Sequence, residues 1–276
     1  MSARVAAAFL KVVVASAAMP ELARAQEPLE DNSFLIEEAY NQQAGAVQHI
    51  ANLLRSPSGD WAFSFTQEWP LGGMRHQLSY TLLFQHRTEV VTTGLGDALL
   101  NYRYQLVGSS GSDRLLVAPR LSLLLPTGSA GLARGTGSPG LQGNLPVTFV
   151  MRPRLVTHLN AGLTLVPWSQ NTAGARATTV VPNLGASAVW MLTPLFNPLL
   201  EFVWYGNRDV AGPGRTVATG QAYLNPGARW GFDLPGRVQM TVGAAYTVGL
   251  NAASDDALFA YLSFEHPFRR DTGDAP

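Results

Sequence analysis

The feature that most constrains this chain is an alternation of apolar and polar residues that recurs from about residue 45 onward. Successive side chains of a β-strand point to opposite faces, so an alternation of period two predicts strands with one apolar and one polar face. Between Ala98 and Leu106, one face carries Tyr102 and Tyr104 while the other carries Asn101 and Arg103. The pattern therefore predicts an all-β fold.

About twelve such segments follow one another along the chain, and each has about the length at which a tilted strand crosses a bilayer. They cover residues 46–54, 61–69, 75–87, 97–107, 114–125, 141–152, 154–166, 183–192, 196–206, 218–231, 237–248 and 257–268. Bacterial transmembrane barrels have an even number of strands. We therefore predict a transmembrane antiparallel up-and-down β-barrel of about 12 strands, with roughly 10 to 14 compatible with the pattern.

The connections between these segments alternate in length, as expected for a barrel with short turns at one end and longer loops at the other. The short set covers residues 70–73, 108–113, 152–153, 193–195 and 232–236. The alternate set covers residues 55–60, 88–96, 126–140, 167–182, 207–217 and 249–256, and most of its members are longer. With both termini in the periplasm, the short turns would be periplasmic and the loops extracellular.

The low fraction of charged residues is consistent with an exterior that faces lipid. Charged residues make up only 14% of the chain, against about 25% in typical soluble domains. The net charge is +0, which gives no indication of nucleic-acid binding. The charged residues within the predicted strands share the polar parity, and we expect them to face the barrel lumen: Glu68, Arg103, Arg120, Glu201, Arg229 and Glu265.

Two other folds compete with the barrel. A soluble β-sandwich also shows period two, but such proteins usually have a charged, Lys-rich exterior, and Lys11 is the last lysine of this chain. A membrane helix is suggested by the low charge of residues 183–206, where Glu201 is the only charged residue. Pro194 and Pro198 favour two strands around a turn instead.

The first 25 residues have the pattern of a cleaved signal peptide. Arg4 and Lys11 precede the apolar run 12–19, and Ala23 and Ala25 form the small-x-small cleavage pattern. That run is too short to span a bilayer as a helix, which argues against a membrane anchor. We predict a signal peptide at 1–25, an N-terminal segment at 26–44, a barrel at 45–268 and a short tail at 269–276.

The segment 26–44 is too polar to face lipid. Its candidate plug residues are Glu37, Glu38, Tyr40 and Asn41. The segment is expected either to fold into the periplasmic mouth of the barrel as a small plug or to lie beneath that mouth.

The charges of the predicted lumen have two interpretations. They form either a structural network of hydrogen bonds and ion pairs that fills a narrow barrel, or a ring that selects solutes. His158 belongs to the same face and joins the six charged residues as a selectivity candidate. The chain has no Gly-x-Ser-x-Gly motif, no His followed two residues later by Ser, and no cysteine. We therefore predict no catalytic, metal or cofactor site.

Several short stretches resemble a known family. They are residues 34–42 (FLIEEAYNQ), 96–104 (GDALLNYRY), 119–122 (PRLS), 125–128 (LPTG) and 261–268 (YLSFEHPF). Together they are similar to the outer-membrane transporters grouped with the phenol meta-cleavage pathway (MetA-pathway of phenol degradation) family. The resemblance covers essentially the whole chain after the signal peptide and implies an outer-membrane channel or transporter; it assigns no role to an individual residue.

These observations lead to one functional expectation and two alternatives. We expect a porin-like outer-membrane channel or transporter for small solutes, with apolar or aromatic compounds implied only by the resemblance. Its expected partners are outer-membrane lipids, the barrel-assembly machinery during biogenesis and a small-molecule solute, with no nucleic acid. A barrel enzyme that acts on lipids, or a structural or adhesive barrel, remains an alternative.

Overall fold

The structure, a computed structural model, describes residues 33–109, 113–152 and 154–268. The predicted signal peptide at 1–25, the first part of the N-terminal segment and the predicted tail at 269–276 lie outside the described residues. Nearly all the regular structure is β. The strands are β1 (Ala46–Arg55), β2 (Trp61–Pro70), β3 (His76–Arg87), β4 (Thr92–Leu95), β5 (Ala98–Tyr104), β6 (Leu115–Val117), β7 (Arg120–Leu125), β8 (Gly140–Arg152), β9 (Leu155–Gln170), β10 (Arg176–Trp190), β11 (Phe196–Tyr205), β12 (Arg208–Gly212), β13 (Arg215–Ala218), β14 (Gln221–Leu234), β15 (Val238–Gly249) and β16 (Ala257–Pro267).

These strands form a closed antiparallel barrel. Each barrel strand pairs with its neighbours in sequence, and β1 pairs with both β2 and β16, which closes the ring. Two of the barrel strands are interrupted: β4 and β5 both pair with β3, and β6 and β7 both pair with β8. Counting each interrupted strand once, and leaving out the separate hairpin β12–β13, gives twelve barrel strands. The predicted fold class is therefore confirmed.

The two faces of the barrel differ as the alternation requires. Polar side chains on the inner face are buried, among them Gln77, Asn101, Thr148 and Asn225. Large apolar side chains on the outer face are exposed, and they include Leu82, Leu121, Leu163, Leu184, Leu200 and Leu258. A soluble barrel would bury its apolar face. This polarity is inverted, which is the arrangement of a barrel surrounded by lipid.

Three predicted loops were partly wrong, because strands extend into them. Within 88–96, Thr92–Leu95 forms β4; within 167–182, β9 continues to Gln170 and β10 begins at Arg176. The prolines at 167 and 182 suggest strand ends in the sequence, yet both lie within strands. Pro167 lies where the register of β9 and β10 shifts, a position where a missing N–H is tolerated.

The third loop, 207–217, contains the hairpin of β12 and β13. This hairpin forms its own two-stranded sheet and contacts the outer part of β10, and nearby Asn171 donates to the Val210 carbonyl at 3.0 Å. One short 3-10 helix, Ala130–Leu132, lies in the loop between β7 and β8. Among the described residues, no helix has the length and apolar character needed to cross a membrane.

Candidate luminal site

The described residues that precede β1 lie inside the barrel. We call residues 33–43 the luminal segment; it has no regular secondary structure. Phe34, Ile36, Glu38 and Ala39 are buried, and Ala39 is completely inaccessible. A chain without helix or strand must satisfy its backbone N–H and C=O groups elsewhere. Most of the polar partners come from the inner face of the barrel wall.

Glu37 of the luminal segment binds two arginines of the wall. Its carboxylate lies 3.0 Å from Arg103 of β5 and 2.5 Å from Arg120 of β7. Asn144 of β8 donates a further hydrogen bond to the same carboxylate at 2.8 Å. Arg120 also donates to Gln142, Asn101 and Ser122. Glu37 therefore joins three neighbouring strands through one carboxylate.

Glu38 contacts other strands of the wall, β14 and β9. Its Oε1 accepts from Arg229 of β14 at 2.8 Å and lies 3.6 Å from Nε2 of His158 in β9. The Ser33 hydroxyl donates to the same oxygen at 3.1 Å. Both Glu38 and Arg229 are almost completely buried. Nδ1 of His158 is hydrogen-bonded to the Thr148 hydroxyl at 2.8 Å.

Glu201 of β11 binds the backbone of the luminal segment. Its carboxylate accepts the N–H groups of Phe34, Leu35 and Ile36 at 3.0 to 3.1 Å. Asn225 of β14 donates a further hydrogen bond at 2.7 Å. Three successive N–H groups converging on one anion form a nest, an arrangement that stabilises a buried carboxylate. The carboxylate of Glu201 thereby fixes the start of the segment.

Asn160 and four other wall side chains bind the remaining backbone of the luminal segment. Asn160 accepts from the Glu37 N–H and donates to the Glu37 carbonyl, both at 2.8 Å. Thr148 accepts the Ala39 N–H at 2.9 Å, Gln105 accepts that of Asn41 at 3.2 Å, and Gln77 accepts that of Gln42 at 2.6 Å. Arg103 also donates to the Tyr40 carbonyl at 3.0 Å. These contacts substitute for strand pairing.

Apolar contacts complete the attachment. The Phe34 ring packs against Phe259 and Tyr261 of β16, with centroid distances of 5.0 and 5.5 Å. Three glycines of the wall leave room for the segment. A Cβ on Gly227 or Gly243 would lie within 2.7 Å of the Phe34 ring, and one on Gly185 would collide with Cδ1 of Ile36.

Cavities remain around the luminal segment. A cavity of 170 Å³ lies on the β1 to β7 side and includes Glu68, Asn101, Arg103 and Arg120 in its lining. A second, of 130 Å³, is lined by Asn144, Asn160 and Asn183 among others. A third, of 320 Å³, lies at the loop end of the barrel. Leu35 lines all three cavities. Leu35 therefore borders both the cavity at the loop end and the cavities of the polar interior.

The predicted lumen residues divide into three groups. Arg103, Arg120, Arg229 and Glu201 hydrogen-bond to the luminal segment, and His158 faces Glu38. Glu68 is buried, lines the 170 Å³ cavity and accepts a hydrogen bond from Gln77 at 2.8 Å. Glu265 is half-buried in β16, where its register partners are Gln48 and Gln239.

The predicted plug residues also differ in what they contact. Glu37 and Glu38 bind arginines, as described above. The Tyr40 ring lies edge-on to His158 at a centroid distance of 6.4 Å, and the Asn41 amide donates to the carbonyls of Met74 and Arg75. The sequence did not single out Gln77, Gln105, Thr148 and Asn160 as candidates. Their position on the inner face of a predicted strand was the available signal.

Nothing in the described part of the chain resembles a metal centre, since no group of three or more His, Asp or Glu side chains is placed to hold an ion.

Comparison with known proteins adds information about the fold. No family model and no curated protein matches the sequence. Among solved structures, an outer membrane channel from Pseudomonas putida F1 is similar, with a TM-score of 0.61 and 13% identity over 83% of this chain and 98% of that one. The NanC porin is similar with a TM-score of 0.51 and 8% identity over 81% of this chain and 100% of that one. The chain therefore has the fold of an outer-membrane β-barrel.

Proposed function

We propose that this protein is a channel of the bacterial outer membrane that lets small solutes cross. The observation that carries the proposal is the polarity of the barrel: an apolar exterior encloses an interior lined by amides, hydroxyls and charges. Such a wall is stable in lipid and provides a polar path through it. The similar solved structures, described as an outer membrane channel and a porin, support the proposal. Both termini and the short turns would then face the periplasm.

The experiment is a flux measurement with the purified full chain in lipid vesicles. Swelling in isotonic solutions of neutral solutes of increasing size would give the rate and the size limit. We expect entry of the smallest solutes at rates above those of vesicles that contain heat-unfolded protein. Equal rates in the two preparations would contradict the proposal. Adding aromatic solutes to the series tests the substrate class that the family resemblance implies.

We further propose that the luminal segment is a plug. Support comes from its contacts with Arg103, Arg120, Arg229 and Glu201, which lie in four different strands of the wall. Leu35 adds to this support, because it borders both a cavity of the interior and the cavity at the loop end. Deletion of residues 27–43 should therefore raise solute flux and single-channel conductance. Unchanged conductance of a correctly folded deletion variant would contradict the plug.

The charged wall residues would acquire a second role once the plug moves. Arg103, Arg120 and Arg229 would lose the carboxylates of Glu37 and Glu38, while Glu68, Glu201 and Glu265 would stay in the wall. Together with His158, these side chains would line the open path as a selective ring. Comparing the ion selectivity of the full chain with that of the deletion variant tests this role. We expect greater anion selectivity after deletion, because the lumen loses the carboxylates of Glu37 and Glu38 while three arginines of the wall remain.

A further inference from the structure

The 320 Å³ cavity at the loop end has a chemical character different from that of the polar interior. We call it the vestibule. Its floor and walls are formed in part by Leu35, Leu54, Val203 and Ala257, and it is also lined by Tyr205 and Tyr223. Its volume lies near the lower end of the roughly 300–1,000 Å³ typical of sites for small organic ligands. It has space for one compact molecule with an apolar body.

The rim of the vestibule carries an excess of negative charge. Three carboxylates, Asp60, Asp255 and Asp256, line it together with one guanidinium, that of Arg87. Arg87 lies 3.6 Å from Asp60 and offsets that charge. Asp256 accepts hydrogen bonds from the Gly249 N–H and the Tyr246 hydroxyl, both neutral donors. Asp255 is exposed and forms no ion pair with any described residue.

Both hydrogen-bonded carboxylates are ionised at neutral pH. Hydrogen bonds from the hydroxyl and backbone N–H of Thr88 lower the pKa of Asp60. The hydrogen bond from the Gly249 N–H lowers the pKa of Asp256. With Asp60 offset by Arg87, two negative charges remain at the rim beside two tyrosine rings. Carboxylates attract a cation, and the face of an aromatic ring adds a cation–π contribution.

The geometry points to the vestibule as a binding site for small amphipathic organic cations, such as a protonated aromatic amine. The apolar floor would take the hydrocarbon body, and the tyrosines and aspartates would take the cationic end. This inference rests on the proposed channel function in one respect: it makes the vestibule the entry site for the solute that the channel accepts. Binding itself does not require conduction.

The test compares three probes of nearly equal size: benzylammonium, benzyl alcohol and benzoate. Binding of each to the purified full chain in detergent is measured by calorimetry. We expect benzylammonium to bind at least several-fold more tightly than benzyl alcohol, and benzoate to bind most weakly. Equal affinity for the three probes, or no binding of benzylammonium, would overturn the inference.

Variants locate the site. Asp255→Asn removes one rim charge without removing an ion pair, and we expect it to weaken benzylammonium binding roughly three- to tenfold. Tyr223→Leu should weaken binding similarly, and Tyr223→Phe should retain it. Glu89→Gln, on an exposed residue of a neighbouring loop, is the matched control and should change nothing. Equal effects of Asp255→Asn and Glu89→Gln would contradict a vestibule site.

A bilayer measurement separates this inference from the channel proposal. Benzylammonium added on the loop side should reduce the current through the full chain, and the reduction should be smaller for Asp255→Asn. A protein that binds benzylammonium but never conducts would contradict the channel and leave the binding site intact. A protein that conducts but neither binds nor is blocked by benzylammonium would contradict only the binding site.

Discussion

The side chain of Ile36 fills the space that a Cβ on Gly185 would occupy. Gly185 lies in the middle of β10, where its Cβ position faces the lumen, and Ile36 is only 2% exposed. An apolar side chain of the luminal segment thus fits against bare backbone of the wall. The position of the luminal segment therefore depends on one glycine of the barrel wall. The contact between Ile36 and Gly185 can be removed by a substitution that changes no charge.

We predict that Gly185→Val will displace the luminal segment. The added side chain would overlap Ile36, whose Cδ1 lies only 2.2 Å from the position of the new Cβ. Single-channel conductance should rise towards that of the variant lacking residues 27–43. Gly143→Val is the matched control, because a Cβ at Gly143 meets no atom within 4 Å. The prediction is wrong if both valine variants conduct like the unaltered protein while remaining folded.

Removing the charge of Glu37 should loosen the segment and alter ion selectivity. Glu37→Gln leaves Arg103 and Arg120 without their shared carboxylate. Loss of charge-assisted hydrogen bonds of this kind costs roughly 1.5–3 kcal/mol, which corresponds to about a tenfold or larger increase in the open population. The reversal potential in a salt gradient should shift towards anion selectivity. Glu89→Gln serves as the control, and an equal shift in that variant would count against the prediction.

The nest around Glu201 can be tested by chemical labelling, since the chain has no cysteine of its own. A Leu35→Cys variant places a single thiol in the segment, between the vestibule and the interior. Adding Glu201→Gln removes the negative charge on which the three N–H groups converge, and the neutral amide oxygen that remains is a weaker acceptor. We expect a membrane-impermeant maleimide to label the introduced thiol at least about tenfold faster in the double variant. Similar labelling rates would show that Glu201 does not hold the segment.

Asp97 should control the order of the loop that connects β7 to β8. Its carboxylate accepts from the Gly128 N–H at 3.0 Å and from the N–H and hydroxyl of Thr136 at 2.7 Å. Asp97→Ala removes these bonds and should expose residues 126–139 to proteases. Proteolysis of the reconstituted protein, with Asp113→Ala at the turn end as control, measures the effect. Equal resistance of both variants would contradict the prediction.

The apolar outer face of the barrel leads to a separate prediction about the free energy of unfolding. Leu163 lies near the middle of β9, and it is 48% exposed on the outer face. Arginine at the midplane of a bilayer costs about 2–4 kcal/mol, so Leu163→Arg should lower the free energy of unfolding by about that amount in lipid vesicles. Val217→Arg, on the hairpin outside the barrel, should leave it unchanged. Urea titration of both variants provides the measurement, and indistinguishable curves would refute a lipid-facing Leu163.

Much of the fold follows from the sequence because period two determines the face of each side chain. Arg103 and Leu100 have opposite parity in β5, and the structure buries the first and exposes the second. Gly96, Asp97, Thr127 and Gly128, which belong to the family-like stretches, meet in a single cluster, where the Thr127 hydroxyl donates to the Gly96 carbonyl at 2.8 Å. The predicted boundaries between strands and loops put these four residues at strand ends, and the contact forms there.

The partners within the lumen could not be predicted in the same way. Glu37 and Arg120 are far apart in sequence, and their contact depends on strand register, strand tilt and the path of a segment without secondary structure. The alternation of side chains along the strand predicts that Arg120 points inward, but it does not predict how deep in the barrel Arg120 lies. The role of Gly185 could not be predicted from the sequence either. A glycine within a strand can mark a bulge, a bend or a close contact, and only the position of Ile36 in the structure identifies the close contact.

The conductance of the purified full chain in a planar lipid bilayer tests the central claim most directly. A barrel with an apolar exterior and a polar lumen should insert and produce discrete current steps, small in the full chain and larger after removal of residues 27–43. A protein that folds as a barrel and remains soluble without detergent, or that inserts and carries no current with or without those residues, would contradict the account.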